Sequence, residues 1–438
     1  MCKRWTRNRI FSASLLAAAC AAPMFPQSPP ELSLSQARSL ALQNHPQVLA
    51  SQADYRRQDE LTREARSAYY PSVNADITAA QANVNSRLGA GVINDPRLFN
   101  HFGTGLTLSQ LITDSGRTQN LVANARLGAE AGREDYRATQ YNVILGVDDA
   151  YYEVLLSQQL VKLAQQTVAA RQTVLDQVSE LARNKLRSNV DLSFANVNLA
   201  DAKLMLLRAR DRLQAGYAAL AQALGTQQYV EYHLTDQPLP GEVSADVDAL
   251  IAQAFQNRPE LAGLRLQVEA DQKFVYAERD LKRPTVSLSA VGGALPYINP
   301  GTANPDIPTG YEAAAVNVNI PVFNGHLFAA RRQAAEYQLQ ASQQRVRNLQ
   351  DQIARDVRAS WARARTAFEA IAATEQLLTQ ANMALDLAQG RYNLGLASIV
   401  ELSQAQLAQT SAQVQNLNAK YEYQEAYSAL QYTIGQLR

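Results

Sequence analysis

The distribution of proline is the feature that most constrains this fold. None of the 16 prolines lies between Arg97 and Gln237, and none follows Pro321. Both stretches are rich in Ala, Leu, Gln, Glu and Arg, which favour helices. Apolar residues in the first stretch recur at seven-residue intervals, at Val161, Val168, Leu175 and Ala182. The sequence therefore predicts very long helices packed as coiled coils, the first over about 115–183 and roughly 100 Å long at 1.5 Å per residue.

Short segments that alternate apolar and uncharged polar residues precede these helices in pairs. The alternation predicts strands at about 72–84, 104–112, 285–293 and 313–322. The last one runs VNVNIPV from Val316 to Val322. The loops between paired strands, about 86–103 and 293–311, are predicted to lie in water. This alternation fits a half-buried strand of a soluble sheet, and equally a strand with lipid on one side and water on the other.

The chain is one unit written twice. ALQNHPQVLA, from Ala41, returns as AFQNRPELAG from Ala254, and DSG, from Asp114, is matched with FNG from Phe323 at a separation of 209 residues. We predict a first repeat over 31–225, a linker over 226–243 and a second repeat over 244–438. Each repeat reads as medium helix, strand, loop, strand, very long helix, turn and long helix. The turns between long helices are predicted at 184–191 and 392–400.

Residues 1–22 have the pattern of a secretory signal peptide, with a charged start and a short apolar stretch. Both cysteines, Cys2 and Cys20, lie in this region. Cys20 follows three alanines, which resembles a lipoprotein cleavage site, so it is a candidate for lipidation. The alternative is ordinary cleavage near Ala21 or Ala22. No later stretch has the eighteen apolar residues that a membrane helix requires.

Composition and motif content exclude several classes. The net charge is +1 with 18% charged residues, and no basic stripe points to nucleic acid. The four histidines are dispersed, and neither a phosphate-binding glycine loop nor a metal-ligand spacing occurs, so we predict no enzyme activity, cofactor or metal. An exported chain with alternating strands and no membrane helix favours a β-barrel. Four strands cannot close a barrel, so the chain must oligomerise.

The order and duplication of these motifs resemble the outer-membrane efflux protein family, also known as the TolC family. The segments that carry the resemblance are NHP and NRP in the first helices, NIPVFNGH at the second strand-to-helix junction, and GRYNLGLASIVELSQAQ at the second turn. The resemblance implies a homotrimer whose twelve-stranded transmembrane β-barrel continues into a periplasmic α-helical barrel. Such a protein is the passive outer-membrane exit duct of a tripartite efflux pump or type I secretion system. Its partners are a periplasmic adaptor and an inner-membrane pump.

An alternative is a periplasmic adaptor, or a structural coiled-coil protein, of an export system. The sequence leaves the cargo open among drugs, metals and proteins.

The resemblance also implies roles for residues at the turns. Tyr392 falls on a gate tyrosine, Asp191 on an acid that can bond to it, and Glu401 on an acidic ring position. Gln404 stands where a second acid is expected, and Ala397 where a gate arginine is expected. The alternative for these residues is a capping or solvated turn position.

Two further sets follow from the resemblance. The segment Leu394-Gly395-Leu396 resembles a hydrophobic tip that contacts the adaptor, and its counterpart in the first turn is taken to be Leu186-Arg187-Ser188, without the glycine. The strand-to-helix junctions are marked by Pro321, Phe323 and Gly325 in the second repeat and by Gly116 in the first.

Overall fold

The computed structural model describes residues 30–81, 87–90, 93–97, 101–298 and 310–437. The first half contains β1 (Glu31–Leu32), α1 (Leu34–Asn44), α2 (Pro46–Ser67), β2 (Ser72–Ala80), β3 (Arg87–Ala90), β4 (Ile93–Arg97), β5 (His101–Thr113), α3 (Arg117–Arg183) and α4 (Asn189–Ala223). The second half contains β6 (His233–Leu234), α5 (Val247–Asn257), α6 (Pro259–Asp280), β7 (Thr285–Ile298), β8 (Gly310–Asn319), α7 (Leu327–Asn393) and α8 (Ile399–Thr433). The predicted signal peptide and Cys20 lie outside the described residues.

Four strands form one antiparallel sheet in the order β2-β5-β7-β8. The predicted strand over 313–322 is wrong at both ends, because β8 begins at Gly310 and stops at Asn319. Asn319 pairs with Thr285, the first residue of β7, so the ladder ends where its partner ends. Pro321 has no N–H to extend the pairing. The predicted loop over 86–103 also contains the short hairpin β3–β4, which forms a separate two-stranded sheet.

Apolar side chains of the four-stranded sheet are largely exposed. Ile77 is 74% exposed and Val316 is 66% exposed, although both belong to the apolar set of their strands. None of the described helices packs extensively against this sheet. One apolar face is therefore left for a surrounding medium rather than for a second protein layer.

The two longest helices have the same length. α3 and α7 each contain 67 residues, which corresponds to roughly 100 Å at 1.5 Å per residue. Each is followed by a 35-residue helix, α4 or α8, that packs back along it. The predicted medium helix of each repeat is two helices, because Pro46 and Pro259 each occupy the first turn of a new helix, where proline is tolerated.

The strand-to-helix junctions correct the register of the duplication. Ser115 and Gly116 both have positive φ, at 59° and 101°, and so do Gly325 and His326, at 60° and 66°. Gly116 and His326 each precede the first helical residue. Gly116 is thus the counterpart of His326, one position away from the pairing with Gly325 that the sequence suggested. Both junctions therefore use a left-handed two-residue turn. Glycine is the second residue of this turn in the first repeat and the first residue in the second repeat.

The linker between the halves is tied to the helices at mid-length. β6 pairs in parallel with β1. Side chains on the long helices donate to linker carbonyls, Tyr151 to Thr235 and Tyr423 to Gly241, and Trp361 donates to the carbonyl of Ser244, directly after the linker. Two apolar cores flank this band, one centred on α3 and the other between α7 and α8. None of the described helices is apolar enough over a sufficient length to cross a membrane.

Candidate gate at the paired helix turns

The first turn joins α3 to α4 through a left-handed residue. Lys185 has φ of 60°, the Lys185 N–H donates to the Ala182 carbonyl at 3.0 Å, and the Leu186 N–H donates to the Leu181 carbonyl at 2.8 Å. These two bonds form a Schellman motif, which normally places glycine at the left-handed position. The Ser188 hydroxyl then accepts from the Val190 N–H at 3.1 Å and caps α4.

The second turn repeats this geometry with glycine. Gly395 has φ of 75°, and its N–H donates to the Tyr392 carbonyl at 3.0 Å, while the Leu396 N–H donates to the Arg391 carbonyl at 2.8 Å. Lys185 is therefore the counterpart of Gly395. The predicted pairing of Leu394-Gly395-Leu396 with Leu186-Arg187-Ser188 is wrong by two positions. The shared positive φ of Lys185 and Gly395 shows that residues 394–396 correspond to residues 184–186.

The two turns of one chain pack against each other through a small apolar cluster. Its buried members are Val178, Ala195, Tyr392, Ile399 and Leu402. They come from all four long helices, so the position of one turn depends on the other. Tyr392 is 4% exposed, and it is the largest of these side chains.

One arginine connects the two turns, and another forms an ion pair within the second turn. The Arg187 guanidinium lies over the Tyr392 ring, 4.3 Å from its centroid, and Arg187 Nη2 donates to the Tyr392 carbonyl oxygen at 2.7 Å. Within the second turn, Arg391 Nε lies 3.5 Å from Glu401 Oε1. Sequence reasoning left Arg187 unplaced. The sequence did contain a signal for Arg187. When Lys185 is aligned with Gly395, Arg187 aligns with Ala397, the position where a gate arginine is expected.

The predicted hydrogen bond between Tyr392 and Asp191 is not formed within the chain. The Tyr392 hydroxyl is buried and has no hydrogen-bond partner among the described residues. Burial raises the pKa of Tyr392; the positive charge of Arg187 opposes this rise, and the negative charge of Asp191 adds to it. Asp191 lies in the first turn of α4, where an acid favours the helix dipole, and it acts on Tyr392 through its charge alone.

Glu401 and Gln404 occupy different surroundings. The Glu401 N–H is capped by Ser398 Oγ at 3.3 Å, and its carboxylate pairs with Arg391. Gln404 is exposed and lines a groove between α3, α4 and α8 with a volume of about 410 Å³. Phe194, Leu407 and Arg171 also line this groove, whose surface is largely apolar.

The predicted adaptor-contact leucines lie at the extreme end of the molecule. Leu186, Leu394 and Leu396 are 70%, 76% and 68% exposed. At the opposite end of the long helices, Phe323 is 82% exposed, and it lies with Pro321 in the extended segment between β8 and α7. Both sets of exposed apolar groups are expected to be covered in an assembly.

A second polar cluster lies at mid-length, along a groove of about 720 Å³. Asp149 of α3 and Glu425 of α8 line it, with Arg363 of α7 facing both. Burial, with neighbouring carboxylates, raises the pKa of Glu425 to about 7 and that of Asp149 to about 6. The sequence analysis missed this cluster, because its members come from three different helices and are far apart along the chain.

Nothing in the described ranges groups three or more His, Cys, Asp or Glu side chains in a way that could hold a metal ion. What the geometry defines is a wall of long paired helices that carries an uncovered antiparallel sheet at one end and joined, apolar-tipped turns at the other. This is the architecture of one segment of a channel wall.

Comparison with known proteins identifies the family. The sequence matches the outer membrane efflux protein family over residues 37–226 and 250–436. It is 25% identical to outer membrane efflux protein BepC of Brucella suis, over 91% of this chain and 84% of that protein. It is also 25% identical to outer membrane protein TolC of Escherichia coli, over 89% of this chain and 81% of that protein. The solved structure of CusC has the same fold, with a TM-score of 0.79 at 18% identity over 92% of each chain.

The chain therefore belongs to the outer membrane efflux protein family, which confirms the resemblance seen in the sequence. It is an exit duct of the outer membrane that extends into the periplasm. Members of the family form channels and are not enzymes. The alternative of a periplasmic adaptor, or of a structural coiled-coil protein, is accordingly wrong.

Proposed function

We propose that the chain acts as a homotrimeric duct whose sheet closes into a twelve-stranded transmembrane β-barrel. The observation that carries this proposal is the pair of free sheet edges. All three strand pairings within the sheet are antiparallel, so β2 and β8 run in opposite directions. The β8 edge of one copy can therefore pair in antiparallel fashion with the β2 edge of the next, and a ring closed in this way has no exposed edge.

The helices support the same arrangement. α3 packs against α4 and α8, and α8 packs against α7, so α4 and α7 form the outer edges of the lower wall. Both edges carry large apolar side chains that are 44–70% exposed, at Leu204, Leu207, Leu377, Met383 and Leu387. Contact between α7 of one copy and α4 of the next would cover them. The wall of helices then continues the barrel as a tube.

The paired turns are proposed to form the periplasmic gate, with Tyr392, Glu401, Asp191 and Gln404 at the constriction. Within one copy, the turns are joined by the buried cluster around Tyr392, and Glu401 fixes the second turn through Arg391. The gate opens when the hairpins separate, and a partner that binds the open state more tightly shifts this equilibrium. The protein itself supplies no energy and catalyses no reaction.

A periplasmic adaptor connected to an inner-membrane pump is the proposed partner. The exposed leucines at Leu186, Leu394 and Leu396 provide an apolar contact surface, with Gly395 allowing the tight turn that presents two of them. Related proteins carry names from different transport tasks: alkaline protease secretion for AprF, and cobalt-zinc-cadmium resistance for CzcC. These names favour no single cargo for this chain.

The proposal is tested on protein extracted from outer membranes. We expect an unheated sample to migrate on a gel as a trimer and a boiled sample as a monomer. In planar lipid bilayers the trimer is expected to show a small closed-gate conductance, and Tyr392→Leu combined with Glu401→Ala is expected to increase it. A monomer that is silent in bilayers would contradict the duct, and a large conductance in the unmodified trimer would contradict the gate.

A further inference from the structure

One contact between the two turns is not explained by packing alone. Arg187 belongs to the first turn, and it reaches across to the end of α7, where it binds Tyr392 in two ways. Its guanidinium is 4.3 Å from the ring centroid, and its Nη2 is 2.7 Å from the main-chain carbonyl oxygen. A planar guanidinium can stack on a ring and donate in its own plane, which an ammonium group cannot do.

The carbonyl that Arg187 binds is the end of a helix. Tyr392 is the penultimate residue of α7, and its carbonyl also accepts the Gly395 N–H at 3.0 Å. Carbonyls at a helix C-terminus carry partial negative charge, so a cation placed there is favoured. Arg187 thus caps α7 from a different hairpin, and this contact holds only while the two turns are together.

We propose that Arg187 is the latch of the gate: a positioning residue that holds the two hairpins of one protomer together through the ring and terminal carbonyl of Tyr392. This inference rests on the proposed function, because it takes the paired turns to be the gate. It goes further in assigning the latch to a residue of the first turn, and to the ring and carbonyl rather than the hydroxyl of Tyr392.

The duplication makes this latch one-sided. In the register set by Lys185 and Gly395, the counterpart of Arg187 is Ala397, and the counterpart of Tyr392 is Ala182. Neither alanine can make a stacked or charged contact. A closed trimer would therefore alternate between seams that carry the latch, inside each protomer, and seams that lack it, between protomers. The two hairpins of a protomer should move as one body until the latch breaks.

The test is single-channel conductance of the purified trimer in planar bilayers, with a double-mutant cycle. Loss of a stacked, charge-assisted contact is expected to raise the open-gate population roughly tenfold for Arg187→Ala. Tyr392→Leu removes the ring but keeps the main-chain carbonyl, so it is expected to raise this population less than Arg187→Ala. The double variant should fall short of the sum of the two effects, because both changes remove the same ring contact. Tyr392→Phe keeps the ring that Tyr392→Leu removes, so it should open the gate less than Tyr392→Leu.

Two further variants keep the result interpretable. Arg183→Ala is the matched control, since Arg183 lies in the last turn of α3 and, among the residues that the structure describes, pairs only with the exposed Glu180, at 2.8 Å; it should leave conductance unchanged. Arg187→Lys keeps the charge without the planar group and should fall between wild type and Arg187→Ala. If Arg187→Ala does not assemble into a trimer, Arg187→Gln takes its place in the cycle.

The outcomes separate this inference from the proposed function. If Tyr392→Leu with Glu401→Ala opens the channel but Arg187→Ala does not, the gate stands and the latch is refuted. Additive effects of Arg187→Ala and Tyr392→Leu would also refute it. If no variant opens a trimer that conducts, the assignment of the gate to these turns fails as a whole.

Discussion

Glu425 provides the sharpest test of the electrostatics at mid-length. Its carboxyl on α8 faces Asp149 and Glu153 on α3 and Glu422 on its own helix, and the cations Arg363 on α7 and Arg212 on α4 interact with it. Burial, followed by the charges of Asp149 and Glu153, raises its pKa from the ordinary value of 4.5 to about 7. Because the folded state holds this proton more tightly than the unfolded chain, ionisation of Glu425 opposes folding.

The sign and size of the effect follow from linkage. Below about pH 4 the carboxyl is protonated in both states and the pKa shift costs nothing. As the pH rises from 4.5 towards 7, the unfolded chain loses its proton first, and the folded protein loses stability until both states are ionised. The full shift corresponds to about 3 kcal/mol at 1.36 kcal/mol per pKa unit, and solvent in the open groove reduces this to about 1–2 kcal/mol.

Glu425→Gln should therefore stabilise the protein at pH 8 and leave it nearly unchanged at pH 4.5. For a chain of this length, about 1–2 kcal/mol corresponds to a rise of about 2 °C in the unfolding midpoint. The assay is thermal unfolding of the detergent-solubilised protein at both pH values and one scan rate. Glu369→Gln is the control, because Glu369 is an exposed glutamate paired with Arg365 at 3.0 Å, and loss of an exposed ion pair should change the midpoint little. A Glu425→Gln midpoint equal to wild type at pH 8, or raised equally at pH 4.5, would refute the reasoning.

Three other predictions concern separate parts of the chain. Arg38→Ala leaves the fully buried carboxylate of Asp148, 2.6 Å from Arg38 Nη2, without its cation, and should cost about 3–5 kcal/mol in the free energy of unfolding, measured by denaturant titration. Gly395→Ala places a side chain at φ of 75° and should destabilise the protein by about 1 kcal/mol. Lys185→Gly should instead stabilise it by up to about 1 kcal/mol. If both changes shifted the free energy of unfolding in the same direction, the shared turn geometry would be contradicted. Val316→Lys puts a charge on the proposed lipid face and should cost about 2–4 kcal/mol in folding into bilayers, while lysine at the next strand position should be tolerated.

The strands show where pattern reading stops. Alternation in the sequence continues through Ile320 and Val322, and it predicts a strand through both. The ladder nevertheless ends at Asn319, because the partner strand begins at Thr285. An alternating sequence reports which side chains share a face, but the length of a strand is set by the chain that pairs with it. The helices were easier to place, because their hydrogen bonds are local and Gly395 supplies a stop within the segment itself.

The candidate site could also be predicted only in part from the sequence. Tyr392 and Glu401 were singled out only because the second turn resembles that of the family. The partner of Tyr392 could not, because Arg187 is 205 residues away along the chain. The expected bond to Asp191 was inferred from a pattern in which that acid reaches the tyrosine hydroxyl. In this chain the arginine covers the ring, and the hydroxyl is buried without a hydrogen-bond partner in the part of the chain that the structure describes.

The long helices of the two halves differ in sequence but not in length, and the reason is geometric. α3 and α7 have equal numbers of residues, as do α4 and α8. In a ring of alternating hairpins, one hairpin longer by a single turn would place its tip about 5 Å beyond its neighbours, and contacts between adjacent turns would be lost. Side chains at the turns are not bound by this requirement. In the proposed trimer, arginine against tyrosine at one seam and alanine against alanine at the next can therefore coexist at one level of the tube, and the proposed gate can be latched inside a protomer while remaining free to part between protomers.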